Sequence, residues 1–305
     1  MNKINFVKLL YFKIILKVRA IMKVLLTGAK GQLGKCFTDI RKENVLLIPL
    51  DSKSLDICDR EKVISLVEQY KPDVIINCAA YTSVDRAEVE SQQAVNVNSF
   101  GPANLAIAAK NIGSKLIHIS TDYVFDGYKS EPYVETDLVN PRSVYGKTKL
   151  AGELLIQSIF PESVILRTSW VFSEHGNNFL KTMLRIGRDK NEINVVSDQL
   201  GCPTYAGDIA NAVYNMIDCD ASGGIYHFCG GEKISWAGFS EYIFQCAFQM
   251  GYIQIKPKVN FITTSEFPTL AARPSFSVMS TSKISHFTPP SDWKKAVMKV
   301  ISLIN

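Results

Sequence analysis

Apolar residues along this 305-residue chain follow two rhythms. Short apolar runs alternate with stretches in which apolar positions recur every third or fourth residue. The runs predict strands over Lys23–Thr27, Val45–Leu50, Asp73–Asn77, Lys115–Ser120 and Ser163–Arg167. The stretches predict helices over Gln32–Arg41, Asp59–Tyr70, 99–112 and Tyr145–Ser158. In the second helix Val63, Leu66 and Val67 share one face, and Lys71-Pro72 announces the strand after it. Near-continuous apolar strands separated by helices imply a parallel sheet covered on both faces. Beyond residue 170 the pattern changes. Helices are expected near 176–188, 206–218, 235–249 and 292–304, with short, interrupted strands between them. The chain therefore divides into an extension (1–21), a sheet domain (22–170) and a smaller lobe (171–305) that returns segments to the sheet.

Charge alters this picture only at the N-terminus. The formal net charge is +5, and Lys3, Lys8, Lys13, Lys17 and Arg19 account for all of it. From Met22 onward acids and bases balance, so no basic stripe marks a nucleic-acid partner. Lys13 and Lys17 cut the apolar stretch of residues 1–21, and no small-x-small cleavage site follows, so a secretory signal is not formed. The uncharged runs fall far short of the roughly 20 residues a membrane span needs. Two readings of the extension stand: a helix lying on a membrane surface, or an upstream start with the functional protein beginning at Met22. Met22 directly precedes the first strand, which favours the second. Membrane contact is expected only under the first. The seven cysteines form no Cys-x-x-Cys pair and several lie in apolar runs, as in Ile76-Asn77-Cys78-Ala79. Buried free thiols in the cytoplasm follow.

The first candidate chemistry lies after the first strand. Thr27-Gly28-Ala29-Lys30-Gly31-Gln32-Leu33-Gly34 spaces three glycines between a strand and a helix. Glycine permits the tight turn and lets backbone N–H groups approach a pyrophosphate at a helix N-terminus. Asp51 ends the second strand, where an acid receives ribose hydroxyls and disfavours a 2′-phosphate. Its competing role is to form the turn before Ser52. Lys30 and Lys53 lie close enough to accept a phosphate, so NADH and NADPH both remain open. Asp56-Ile57 is placed to flank an adenine. The small residues of Asn77-Cys78-Ala79-Ala80-Tyr81 leave room for a cofactor over the third strand.

The second lies after the fourth strand. Ser120-Thr121-Asp122-Tyr123 ends that strand, and Tyr145-Gly146-Lys147-Thr148-Lys149 opens a helix. Tyr145 and Lys149 are four apart and share a helix face. A lysine ammonium near a phenol stabilises phenolate and draws the phenol towards the working range. Thr121 is placed to hydrogen-bond the reacting oxygen. Together these residues make a proton donor beside a nicotinamide.

These features resemble the extended short-chain dehydrogenase/reductase superfamily, and more narrowly the dTDP-4-dehydrorhamnose reductase family. The specific stretches are Ser120 to Gly127, Val144 to Glu153, Arg167-Thr168-Ser169-Trp170-Val171-Phe172, Gly176-Asn177-Asn178-Phe179, Asp198 to Thr204 and Arg273-Pro274. The likeness runs in register from about Met22 to the C-terminus. It implies an α/β fold: a Rossmann-type doubly wound parallel sheet with a smaller C-terminal α/β substrate-binding lobe. It also implies NADPH- or NADH-dependent reduction of the 4-keto group of dTDP-4-dehydro-L-rhamnose, feeding a surface polysaccharide. Tyr145 would protonate O4, Lys149 would hold the nicotinamide ribose, and Thr121 would tune the reacting oxygen. Thr121, Asp122, Tyr123 and Trp170 match substrate positions, and Asn178 and Arg273 are added for the sugar or diphosphate. Gly28, Gly31, Gln32, Leu33, Gly34, Asp51, Asp56, Ile57, Ala80, Tyr81 and Thr82 match cofactor positions. The structural alternatives for Asn178 and Arg273 are a helix cap and a surface cation.

One departure concerns metal. Some family members carry a Glu two residues after the last loop glycine and use it in a magnesium-bridged dimer. Cys36 stands there in this chain, a soft thiol poorly suited to Mg²⁺. No metal is expected, although Mg²⁺ is the ion the family would supply, and a monomer or a homodimer is expected. His118, His175, His227 and His286 are scattered in sequence, and His118 sits inside a core strand. Competing readings are a 4,6-dehydratase, an epimerase or reductase of another nucleotide 4-keto-6-deoxy sugar, and a non-catalytic cofactor-binding regulatory subunit. A dehydratase carries Asp-Glu after the strand-end Thr, where this chain has Asp122-Tyr123. A regulatory subunit would be expected to lack the Tyr or the Lys, and both are present.

Overall fold

A computed structural model describes residues 21–304. The expectations for the N-terminal extension lie outside these residues, apart from exposed Ile21. Six strands form one sheet: β1 (Met22–Thr27), β2 (Val45–Leu50), β3 (Val74–Asn77), β4 (Lys115–Thr121), β5 (Val164–Thr168) and, much later, β10 (Gly224–His227). All pairings are parallel, in the order β2-β1-β3-β4-β5-β10. The chain steps from β1 outward to β2, then back past β1 to β3. The strand order thus reverses between β1 and β3, and in such sheets a ligand crevice opens beyond the carboxyl ends at that point.

Both faces of the sheet are covered. Val24, Leu26, Val74, Ile76, Val164 and Leu166 pack under α1 (Gln32–Asp39) and, far along the chain, α8 (Ala206–Asp218). Leu25, Ile75, Leu116 and Ile165 face α2 (Arg60–Tyr70), α5 (Gly101–Ile112) and α6 (Val144–Ile159). Burial on both faces explains why the strands read as continuous apolar runs. The doubly wound Rossmann-type arrangement is the expected one, and α8 and β10 are segments that the later chain returns to the sheet.

Between β3 and α5 lie two short helices, α3 (Val84–Ala87) and α4 (Ser91–Val95), then a π-helical turn over Asn96–Phe100. The sequence pattern predicts a plain helix from 99. Pro102 explains the difference: it has no N–H to donate to the carbonyl of Asn98 four residues back, and the turn widens there. The freed carbonyl meets α6 at Gly152, where an added Cβ would lie 2.1 Å from it.

The remaining chain builds a second core from β6 (Val171–Phe172), α7 (Phe179–Asp189), α9 (Trp236–Gln249) and α10 (Trp293–Ile304). Phe172, Leu180, Phe239, Phe244, Val297 and Ile301 lie at its centre. Around it run β7 (Glu192–Val196), β8 (Leu200–Gly201), β9 (Thr204–Tyr205), β11 (Ile234–Ser235) and β12 (Lys258–Ile262). Strands β7 and β12 pair in parallel although a long stretch of chain separates them. No helix among the described residues is long and apolar enough to cross a membrane.

Candidate active site

Glycines shape one end of the crevice. Gly28 follows β1 with φ of +67°, and an added Cβ would lie 2.6 Å from the backbone nitrogen of Ala79 at the end of β3. At Gly34 a Cβ would lie 2.4 Å from the carbonyl oxygen of Gly28. The turn therefore packs backbone against backbone at the switch point. Helix α1 starts at Gln32, and its N-cap, Gly31, offers no side-chain cap. By contrast Asp59, Ser143, Asn178 and Ser235 cap α2, α6, α7 and α9. The first N–H groups of α1 are thus left for a ligand, the arrangement a dinucleotide pyrophosphate requires. Leu33 points instead into the core, beneath the turn.

Asp51 stands at the end of β2 and pairs with Lys30 of the glycine turn. Its Oδ1 also accepts from the Ser54 backbone N–H (2.9 Å) and hydroxyl (2.7 Å). These bonds, Lys30 first, hold the carboxyl well below the usual range. It thus forms the turn after β2 and ties that turn to the glycine turn after β1. Asp56 accepts from Cys58 N–H (2.9 Å), while Ile57 is buried against Gly101. Ala80 and Tyr81 are partly buried and Thr82 is exposed. The Tyr81 backbone is clamped by Asn98, whose Oδ1 accepts from Tyr81 N–H (2.8 Å) and whose Nδ2 donates to Tyr81 O (3.0 Å). Asn98 Nδ2 also reaches the Thr148 hydroxyl on α6 (3.1 Å), which ties this loop to the Tyr145 helix. Sequence reading missed Asn98; the only signal was the Gly101-Pro102 pair that deforms the helix start.

Tyr145 and Lys149 lie on the first turns of α6. The Ser143 hydroxyl accepts from Gly146 N–H (3.1 Å), and Glu88 accepts from Val144 N–H (2.9 Å). Gly146 is required where α6 starts, since a Cβ would lie 2.2 Å from the Tyr123 carbonyl. The Tyr145 ring meets the Tyr123 ring edge to face at 5.4 Å. Burial pushes the Tyr145 phenol up to about 12, with Thr121 beside it pulling the other way. Lys149 is buried, and its ammonium donates to the Ile119 carbonyl (2.7 Å) and lies 3.3 Å from His118 Nε2. Burial draws Lys149 down to about 8, with Glu153 opposing.

Beneath this face runs a buried network. Glu153, one turn beyond Lys149, takes a bidentate bond from Arg167 of β5 (Nη2–Oε2 2.7 Å, Nε–Oε1 3.0 Å) and a bond from Ser120. Both charges are almost wholly buried. Sequence reading missed this pair, because its partners are brought together only by the packing of α6 on the sheet.

Of the residues expected at the substrate, Thr121 ends β4, Asp122 and Tyr123 follow it, and Trp170 lies between β5 and β6. Thr121 donates to Asp122 Oδ1 (3.0 Å) and accepts from Tyr123 N–H (3.2 Å). Burial pushes the Asp122 carboxyl up to about 6, with the Ser277 and Thr121 hydroxyls pulling the other way. Trp170 adopts φ of +46°, a conformation side chains rarely take. Its ring stacks on Trp236 at 3.4 Å, and at Gly201 a Cβ would lie 2.4 Å from it. Thr204 N–H donates to its carbonyl (3.2 Å). The Asp198 to Thr204 stretch thus seats Trp170, and Trp236 is an aromatic partner the sequence did not single out. Arg273 is partly buried and makes a bidentate pair with Asp85 on α3 (2.8 and 3.0 Å). Asn178 serves as the cap of α7, accepting from Lys181 N–H (3.1 Å), while its Nδ2 donates to Ser173 O (2.7 Å) and Gln32 Oε1 (3.3 Å). The structure therefore gives Asn178 and Arg273 structural bonds: the cap for one, and an ion pair rather than a free surface cation for the other.

The histidines are scattered in sequence but not all in space. His175 joins Cys36 and Glu174, with ligand atoms within 4.8 Å of one another, because the loop after β6 folds onto α1. A thiol, an imidazole and one carboxylate are not the all-oxygen set that Mg²⁺ takes. Burial pushes the Cys36 thiol up to about 12, and His175 Nε2 lies 2.5 Å from Asp39.

Comparison with known proteins adds to this geometry. A family model described as the RmlD substrate binding domain matches residues 22–305. The chain is 45% identical over 287 residues to a dTDP-4-dehydrorhamnose reductase of Aggregatibacter actinomycetemcomitans, covering 91% of this chain and 98% of that one. A crystal structure of a dTDP-4-dehydrorhamnose reductase, an RfbD ortholog from Clostridium acetobutylicum, superposes with a TM-score of 0.87 at 40% identity, covering 93% and 99% of the two chains. A Bacillus anthracis dTDP-4-dehydrorhamnose reductase in complex with NADP gives a TM-score of 0.87 at 37% identity, covering 92% and 99%.

Proposed function

The chain belongs to the RmlD substrate binding domain family, and from that premise we propose that it reduces the 4-keto group of dTDP-4-dehydro-L-rhamnose to give dTDP-L-rhamnose for surface polysaccharide. The observation that carries the reading is the placement of Tyr145 and Lys149 on one face of α6, with Thr121 at the adjoining end of β4.

NADPH or NADH fits the cradle: Gly28 and Gly34 hold the turn where a Cβ would clash, and α1 keeps its N–H groups free. When bound, the dihydronicotinamide supplies the hydride for C4. The chain supplies the proton and the geometry. Tyr145 is protonated at neutral pH and donates to O4 as charge develops there. Lys149 is mostly ammonium at neutral pH and stabilises the tyrosinate left behind. Thr121 hydrogen-bonds the same region and lowers the cost of that charge. Trp170 and Trp236 form an apolar wall for the sugar. We place the enzyme in the cytoplasm, where seven free thiols remain reduced, as a monomer or homodimer.

The test is nicotinamide oxidation with dTDP-4-dehydro-L-rhamnose, with NADPH and NADH in parallel. Wild type should turn over. Tyr145→Phe should lose roughly 10²- to 10⁴-fold in kcat while cofactor binding persists. Full activity in Tyr145→Phe would remove Tyr145 as the proton donor. Absence of turnover in wild type, with cofactor bound, would point to another 4-keto sugar or a regulatory role.

A further inference from the structure

Behind Lys149 a chain of buried polar side chains crosses three strands: Thr27 at the end of β1, Asn77 at the end of β3 and His118 within β4. All three are almost wholly buried. Resting on the reading of Tyr145 and Lys149 above, we propose that His118 is a positioning residue, held by Asn77 as the Nε2–H tautomer so that it presents a donor, not an acceptor, to Lys149.

The orientation of Asn77 is fixed first. The Ala79 backbone N–H donates to Asn77 Oδ1 (3.1 Å), and the Thr27 hydroxyl donates to the same oxygen (2.6 Å). A backbone N–H can only donate, so this atom is the amide oxygen. Asn77 Nδ2 then faces His118 Nδ1 at 2.9 Å and donates to it. His118 Nδ1 is therefore an acceptor. Burial holds the imidazole well below its usual range, and the Lys149 charge adds to this, so the ring is neutral. A neutral ring whose Nδ1 accepts carries its hydrogen on Nε2. That nitrogen is the one 3.3 Å from Lys149 Nζ.

The consequence for Lys149 is directional. On its strand side the amine meets one acceptor, the Ile119 carbonyl, and one donor, His118. An ammonium has three hydrogens and cannot place one against the imidazole N–H. One is spent on Ile119, and the others are directed away from His118. The donor also disfavours the ammonium itself, and a neutral amine would accept from it. The other groups around Lys149 are Tyr145 and Glu153 on its own helix face and Cys78 at the end of β3. Arg167 of β5 neutralises Glu153, and burial keeps the Cys78 thiol protonated. The Ile119 carbonyl thus draws one ammonium hydrogen, and His118 turns the others away from the strand.

The test reads the ring directly. In protein labelled with ¹⁵N-histidine, NMR should show His118 protonated at Nε2 and bare at Nδ1. In Asn77→Asp the carboxylate keeps the bonds from Thr27 and Ala79 but accepts from Nδ1–H, which reverses the tautomer. His118 Nε2 then offers Lys149 a lone pair, and the Lys149 side-chain titration should move up by about one pH unit or more. The ring nitrogens of the variant separate tautomer reversal from a bare charge effect. A wild-type proton on Nδ1 would overturn the proposal, as would tautomer reversal that leaves the Lys149 titration unmoved. If Asn77→Asp does not fold, the wild-type tautomer decides alone. Neither readout needs turnover, so inactivity towards dTDP-4-dehydro-L-rhamnose would break the substrate reading and leave the role of His118 standing.

Discussion

The two ends of the crevice are built by opposite means. At the β1 turn the chain makes its site from backbone: glycines in close contact, an uncapped helix and an Asp51–Lys30 pair whose lysine is largely exposed. At the β4 end it makes its site from side chains, with Lys149, His118, Glu153 and Arg167 all buried and bonded to one another or to backbone. The backbone end rests on close main-chain contacts that a single added Cβ would block, whereas a buried polar network depends on every strand and helix that contributes a side chain to it. The two ends should therefore differ in how steeply stability responds to change.

Glu153→Gln is expected to have the largest effect. It leaves the Arg167 guanidinium buried without a counter-charge, and removing one partner of such a pair costs about 3–5 kcal/mol. Denaturant unfolding measures this. A cost under about 1 kcal/mol would mean that water reaches Arg167, and the contrast between the two ends would collapse.

Next in size is a pH effect at Lys149. Its native pKa is drawn from 10.5 to about 8, so between these values the unfolded chain binds more protons than the native one. Stability contributed by this group must rise with pH through that window, and below it the full cost of the buried ammonium applies. Wild type compared with Lys149→Met should gain about 3 kcal/mol from pH 8 to 10.5 in urea midpoints. A flat difference would show Lys149 to be solvated. At the other end, Gly34→Ala drives a methyl into the Gly28 carbonyl and should cost about 1–3 kcal/mol while weakening cofactor binding. A larger loss there than in Glu153→Gln would reverse the comparison.

The same division explains what the sequence revealed. The glycine turn, Asp51 and the Tyr145–Lys149 pair are local patterns, and each stands where the spacing put it. The first five strands of the sheet were equally legible, because burial on both faces leaves continuous apolar runs, whereas α3, α4 and β10 were not read. Asn98, Trp236 and the Glu153–Arg167 pair were not, since each acquires its role from a partner distant in the chain. Arg273 read as a candidate for the sugar or diphosphate, and its partner Asp85, far away in sequence, was not legible. His175 looked isolated until a loop folded it onto α1. The parallel pairing of β7 with β12 left no periodic signal, because both strands are short and half exposed.

The smallest expected effect is the most discriminating for the backbone end. Asp51 is bound by Lys30 and by Ser54, and both interactions keep it ionised. On the proposed reading of this end as the cofactor cradle, an ionised carboxylate there repels a 2′-phosphate, and the lysine it holds attracts one. Asp51→Asn removes the repulsion and releases Lys30. The ratio of kcat/KM for NADPH to that for NADH should then rise roughly fivefold, the scale of an exposed ion pair. Lys30→Ala should move the ratio the other way by a similar factor. If Asp51→Asn leaves the ratio unchanged and only lowers stability, then Asp51 acts through Ser54 as the former of a turn. The cofactor choice would in that case lie with Lys53 or with the loop after β3.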